Sequence, residues 1–146
     1  MVNFVVIVDD QTHLEQQLPQ LQENIIDLTA TELESKLKQG PPNGFTPVDE
    51  GHLTGAWSTQ KSSNGVQMTN SAEYAVYQNE GTGVFGPRGR MITPVNARVL
   101  HWEKGGTHFF ARSVKGVEGK HFVEKSLDAV EEKMPSILQQ AVNKID

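Results

Sequence analysis

The sequence predicts an α+β fold: an antiparallel β-sheet packed against a long N-terminal helix and a C-terminal helix, with a short middle helix. Three observations predict it. Apolar residues recur every three or four positions in one long stretch near each end of the chain. Between those stretches lie short strand-like runs joined at Asn-Gly and Gly-Gly. The elements do not alternate strand and helix regularly, which sets aside a doubly wound parallel sheet.

The chain opens on Phe4-Val5-Val6-Ile7-Val8. This β-branched run reads as a strand, and Asp9-Asp10-Gln11-Thr12 as a helix start. Leu14, Leu18, Leu21, Ile25, Leu28, Leu33 and Leu37 then mark one face of a long helix. Pro19 either starts that helix or kinks it. Gly40 ends it, and Pro41-Pro42 forbids continuation. Residues 40–51 are loop by composition.

Ser58–Gln60 and Val66–Thr69 read as a hairpin, turned at Ser62-Ser63-Asn64-Gly65. Ala72–Glu80 is the short helix, and Gly81 suits a left-handed cap at its end. Val95–Trp102 and Thr107–Val114 form a second hairpin around Lys104-Gly105-Gly106. From Phe122 onward, Val123, Leu127, Val130, Met134, Ile137, Ala141 and Ile145 make the apolar stripe of the last helix. Trp57 and Trp102 are the bulkiest side chains and are expected in the core.

The 146 residues fit a single domain spanning 1–146, and a chain of this size can bury roughly two-thirds of its unfolded surface. Hydrophobic residues make up 36% and charged residues 21%, with mean hydropathy −0.45, as in folded proteins with polar loops. There is no cysteine. Disulfides, thiolate zinc sites and cysteine nucleophiles are therefore excluded. No apolar run approaches the ~20 residues of a membrane span, and the start lacks a basic signal region. Synthesis in the cytoplasm is expected.

The net charge of −5 is uneven. Residues 1–50 carry nine acids against Lys36 and Lys38, whereas residues 51–118 carry seven bases against four acids. Such polarity favours docking of unlike surfaces. It disfavours a primary DNA-binding role, which needs many cations for phosphate neutralisation.

Catalytic motifs are absent or out of context. His52, His101, His108 and His121 include no helical His pair of a metalloprotease. His101 and Glu103 do share a strand face, so a small cytoplasmic metal-binding or enzymatic domain, with His101, Glu103 and His108 converging in a pocket, is one alternative class. A monomeric partner-binding adaptor is another. Gly81-Thr82-Gly83-Val84-Phe85-Gly86 fits Gly-x-Gly-x-x-Gly by letter, but it follows a helix instead of a strand. No metal, cofactor or catalytic residue is assigned.

Five segments, in order, resemble one family. They are Leu53-Thr54-Gly55-Ala56-Trp57-Ser58, the stretch Glu73-Tyr74-Ala75-Val76-Tyr77-Gln78-Asn79-Glu80-Gly81-Thr82-Gly83, the segment Ile92–Trp102 with Thr93-Pro94 near its start, Phe109–Gly116, and Gly119-Lys120-His121-Phe122-Val123. Together these resemble the tail-component proteins of the bacteriophage head–tail junction, also called neck or tail-completion proteins. Two departures stand out. His121-Phe122-Val123 replaces a Pro-Phe-Leu pattern, and Gln78-Asn79 stands where relatives are more apolar.

The resemblance implies a structural virion protein, not an enzyme. It implies a closed ring, six subunits expected and twelve the alternative, linking the head connector to the tail. Head-completion or connector proteins would bind one face, and a tail terminator or tail tube protein the other. DNA would pass through the lumen only as a passenger, and the acidic first half would suit that lumen. A tail terminator capping the tube would share this architecture. Tyr74, Tyr77, Glu80, Gly81, Thr82, Arg88 and Arg90 are the candidate subunit-interface residues. A glycine-bearing loop with two arginines suits docking on a neighbour's carboxylates.

Overall fold

The structure, a computed structural model, describes residues 11–49 and 51–145. It is mixed α+β: α1 (Gln11–Leu37), α2 (His52–Gly55), β1 (Trp57–Ser62), β2 (Gly65–Asn70), α3 (Ala75–Glu80), a 3-10 turn (Gly83–Phe85), β3 (Leu100–Lys104), β4 (Thr107–Ala111) and α4 (Phe122–Asn143). The expected strand at 4–8 and helix start at Asp9-Asp10 lie outside the described residues.

The two long helices form the body. Asn24 Nδ2 donates to the Ala141 carbonyl at 3.1 Å, and Lys133 Nζ pairs with Glu32 Oε1 at 3.0 Å. These contacts reverse in order along the two helices, so α1 and α4 run antiparallel. Ala30 on α1 and Ile137 and Ala141 on α4 are buried. The helix α1 continues through Pro19, which is exposed. Likewise α4 continues through an exposed Pro135.

The core joins Leu33, Leu37, Leu53, Ala75, Phe122 and Val130, with Phe45, Trp57 and Met68 half-buried around it. Phe122 is 1% exposed, and Trp57 meets it edge-on with ring centroids 6.4 Å apart. Trp57 Nε1 donates to Thr46 Oγ1 at 3.3 Å, and that buried hydroxyl donates to the Leu37 carbonyl at 2.6 Å. One threonine therefore answers an orphan carbonyl at the end of α1 and the indole of the core tryptophan.

The strands do not merge into one sheet. They make two separate antiparallel hairpins. β1–β2 pairs Trp57 with Asn70 through Ser62 with Gly65, so the two-residue loop is Ser63-Asn64. This hairpin lies along α1: the Thr59 hydroxyl donates to Glu34, Lys61 Nζ reaches Asp27 Oδ1 at 2.7 Å, and Gln22 donates to the Ser63 carbonyl. β3–β4 has no such bed. Every residue from 101 to 110 is exposed.

Several expectations are corrected. Helix α3 starts at Ala75, not Ala72, because Asn70 Oδ1 accepts the Ala72 N–H in a side-chain turn. The second hairpin is shorter than expected at its open end, while β3 runs on to Lys104 at the turn. Beyond Leu100 and Ala111 the pairing is reduced to the isolated bridges Ile92–Val114 and Gly81–Glu118, and Pro94, with no N–H, sits in the unpaired stretch. Trp102 is not core but 41% exposed. On α4, Leu127 leaves the expected stripe and is 52% exposed. Phe122, Ser126 and Val130, spaced four apart, take the buried line in its place.

Lys38 Nζ, at 2.7 Å, and the Thr59 hydroxyl both donate to Glu34 Oε1, Lys38 being the stronger cause holding this carboxyl below its ordinary value of 4.5. A depressed folded value stabilises the protein above 4.5 and ceases to as pH falls through the folded value. Glu34→Gln should lower stability by about 0.5 kcal/mol at neutral pH, as for a surface pair. That difference should shrink as pH falls below 4.5 and through the depressed folded value, as measured by urea unfolding across the acid range. Phe122→Ala should cost about 3–5 kcal/mol in the same assay, since it empties the middle of the core.

Candidate functional site

Residues 82–117 leave the body and return to it at one neck. Gly81 and Glu118 form an antiparallel bridge. The Thr82 N–H donates to the Val117 carbonyl at 2.9 Å, the Val84 N–H to Lys115 at 2.8 Å, and the Val117 N–H to Thr82 Oγ1 at 3.0 Å. The backbones approach closely enough to require glycine. A Cβ on Gly83, at φ 64°, would lie 2.0 Å from the Lys115 carbonyl oxygen, and one on Gly116, at φ 91°, 2.1 Å from that of Thr82. Gly83 and Gly116 therefore permit a close backbone approach. Gly81 itself takes φ 87° and ψ 177°, an extended conformation with positive φ instead of the left-handed cap expected.

Asn79 locks the neck to α4. It is buried at the end of α3, where its side chain accepts the Val123 N–H at 2.9 Å and donates to Glu124 Oε1 at 3.1 Å. Its carbonyl accepts the His121 N–H at 3.0 Å, and that of Gln78 accepts the Lys120 N–H at 2.8 Å. His121, at φ 50°, makes no side-chain cap for α4. Asn79 supplies the missing N-terminal acceptor from another helix.

Beyond the neck lie a groove and an arm. The groove encloses about 900 Å³ between α3 and the chain from Gly83 to Val95. Of the expected interface residues, Tyr77, Glu80, Gly81, Thr82, Arg88 and Arg90 line it. Tyr74 stands just ahead of α3, exposed and outside the lining. Its apolar wall comes from Val76, Tyr77, Met91, Ile92 and Val95.

The arm is the hairpin β3–β4. Trp102 pairs with Phe109 on one face, with centroids 5.6 Å apart and planes 13° from parallel. His101 stacks on Phe110 on the other face at 4.6 Å and 15°. Such stacks contribute about 0.5–1.5 kcal/mol each. A two-stranded hairpin with both faces wet is only marginally stable in water. Exposed rings on both faces mark a surface made to be covered.

All four arginines, Arg88, Arg90, Arg98 and Arg112, belong to this excursion. Each is exposed, and none makes an ion pair among the described residues. The arm and Arg98 and Arg112 were not among the expected interface residues. Their signal was available: Phe109-Phe110 puts a ring on each face of one strand, and the arginines cluster between 88 and 112.

The histidine alternative gains one contact. His101 Nε2 and His108 Nδ1 lie 2.9 Å apart, hydrogen-bonded on the exposed arm. Glu103 is the cross-strand neighbour of His108. They do not converge into a metal pocket: no group of three His, Asp or Glu among the described residues could hold a metal ion. No helix among the described residues is long and apolar enough to cross a membrane.

No family model, no curated protein and no solved structure matches the chain.

Asn79→Ala should lower stability by about 1–2 kcal/mol, the scale of a lost N-terminal cap. Asn79→Asp should keep the acceptor for Val123 but set a second carboxylate against Glu124. Its stability should therefore recover relative to the wild type as pH falls below about 4. Thermal unfolding followed by circular dichroism at two pH values measures both.

Proposed function

We propose that this chain is a structural component of the bacteriophage head–tail junction, a neck or tail-completion protein. Copies close into a ring, six the expected number and twelve the alternative. The ring binds head-completion or connector proteins on one side and the tail terminator or tail tube on the other. DNA passes through its lumen without being bound as a ligand. The role is mechanical, not catalytic, and its place is the virion.

One observation carries this reading. Three of the segments that resemble the family, between Glu73 and Gly116, line or form an exposed groove and arm that leave the body at a single neck. Here the side chains that a soluble monomer would hide are displayed instead, and every arginine accompanies them. Aromatic and arginine side chains together are the composition of interface hot spots. The acids Glu15 and Glu23, on the exposed side of α1, suit a lumen that repels phosphate.

Cryo-electron microscopy of purified particles, with mass spectrometry of their proteins, tests it. The expected result is a ring of this fold between the portal-side proteins and the tail tube. A ring seated directly on the tube end, with another protein above it, would assign the tail-terminator role. A junction fully built from other chains, with this one absent from the particle, would end the structural reading.

A further inference from the structure

A ring of identical subunits built head to tail needs two unlike, mutually complementary surfaces on each copy. The chain carries such a pair. The first is the arm, with exposed Trp102, Phe109 and Phe110 between Arg98 and Arg112. The second is on α4. Leu127 is exposed there, with Glu124 three residues before it, Asp128 beside it and Glu131 four residues after it. Glu124, Asp128 and Glu131, spaced four and three apart, share one acidic helix face, and Leu127, three residues after Glu124 and four before Glu131, sits at its edge.

The ion pairs among the described residues all involve acids of α1 and leave this face of α4 out. On α1, Asp27 pairs with Lys61, Glu32 with Lys36 and Lys133, and Glu34 with Lys38. Asp128 and Glu131 pair with nothing among the described residues. The unpaired arginines and these unpaired carboxylates sit on different elements of one chain. Guanidinium and carboxylate match in shape as well as charge.

We propose that the arm of one copy lies across the Leu127 face of α4 in a second copy. The arm rings cover Leu127, while Arg98 and Arg112 meet Asp128 and Glu131. Arm-to-arm pairing is disfavoured, since Arg98, Lys104 and Arg112 would face their own kind. A nucleic-acid strand is disfavoured too. The arm rings are already stacked in cross-strand pairs instead of splayed to receive bases, and the chain is acidic overall. This contact rests on the ring reading above for its closure, but it is tested on the purified chain alone. Absence from virions would end the head–tail reading and leave the solution result standing.

The test is sedimentation velocity of the full chain from about 10 µM to about 1 mM. Three forms are compared: wild type, Arg98→Glu/Arg112→Glu, and Asp128→Lys/Glu131→Lys. All four positions are exposed, and thermal melts check that each variant keeps the fold. The wild type should associate with rising concentration. Each double variant should weaken association by about tenfold or more. A one-to-one mixture of the two should recover it, because every arm then finds a face of opposite sign. Phe110→Ser and Leu127→Ser should each weaken association similarly, and their mixture should regain a single contact per pair, the intact arm of the Leu127 variant on the intact face of the Phe110 variant, without growing beyond that pair. Three outcomes overturn the proposal: a wild type monomeric throughout, double variants that associate like the wild type, or a mixture no tighter than its components. Tight binding of a labelled single-stranded oligonucleotide by the arm, without self-association, overturns it in favour of nucleic acid.

Discussion

The arrangement depends on one buried amide. Asn79 ties the end of α3 to the start of α4, and its neighbours on both sides hold the returning backbone at 118–121. A polar group taken out of water must find partners or cost a few kcal/mol. This one finds three, counting its carbonyl, and each lies about 40 residues away in the chain. Its satisfaction is therefore conditional on the whole excursion 82–117 leaving and returning at the right place. A well-partnered amide specifies that geometry more sharply than an apolar residue of the same size could, because hydrogen bonds are directional.

Around that junction the molecule divides its apolar side chains between two uses. Leu33, Leu37, Leu53, Phe122 and Val130 are hidden and hold α1, α4 and the first hairpin together. Phe109, Phe110, Trp102, Tyr77 and Val95 are displayed. The division follows the chain: the hidden set flanks the neck and the displayed set lies on or beyond it. The charges divide as well. The ion pairs among the described residues are made by Lys36, Lys38, Lys61 and Lys133 on the body, while the arginines of the excursion enter none of them. Lysine serves adequately in a loose, hydrated surface pair, whereas arginine keeps its advantage for a planar contact made later.

Much of the body was legible in the sequence, because helical periodicity over 20 or more residues is hard to mistake. Gln11–Leu37 and Phe122–Asn143 follow it closely. The first hairpin was legible from Asn64-Gly65, although the loop closes one residue earlier. The division into two sheets was not. Strand-like composition shows that a segment extends, but not whether anything lies beneath it. Leu127 misled for a related reason: two apolar lines run down α4, and only the partner surface decides which is buried. Asn79 read as an ordinary polar position, since its partners lie on α4 and in the connector before it. The Glu-Gly-Thr turn and the two arginines that line the groove read in the sequence as an exposed docking loop; the groove itself needs Met91, Ile92 and Val95 folded back beside α3, which composition does not show. The arm was hidden by the usual rule that tryptophan is core, which fails where both faces of a strand carry rings.

The order of the core along the chain has a consequence for synthesis. Leu33, Leu37 and Leu53 are made early, but their cover, Phe122 and Val130, comes within the last quarter of the chain. Chains emerge from the ribosome N-terminal end first. Until α4 is released, α1 and the first hairpin have no apolar lid, and the Asn79 side chain has neither Val123 nor Glu124 to bind. The neck that aims the excursion therefore forms only once α4 has emerged. A product ended before Phe122 carries the sticky segment without the geometry that presents it. Quality control is thus written into the order of the elements: the excursion is made first, and the junction that presents it waits for α4.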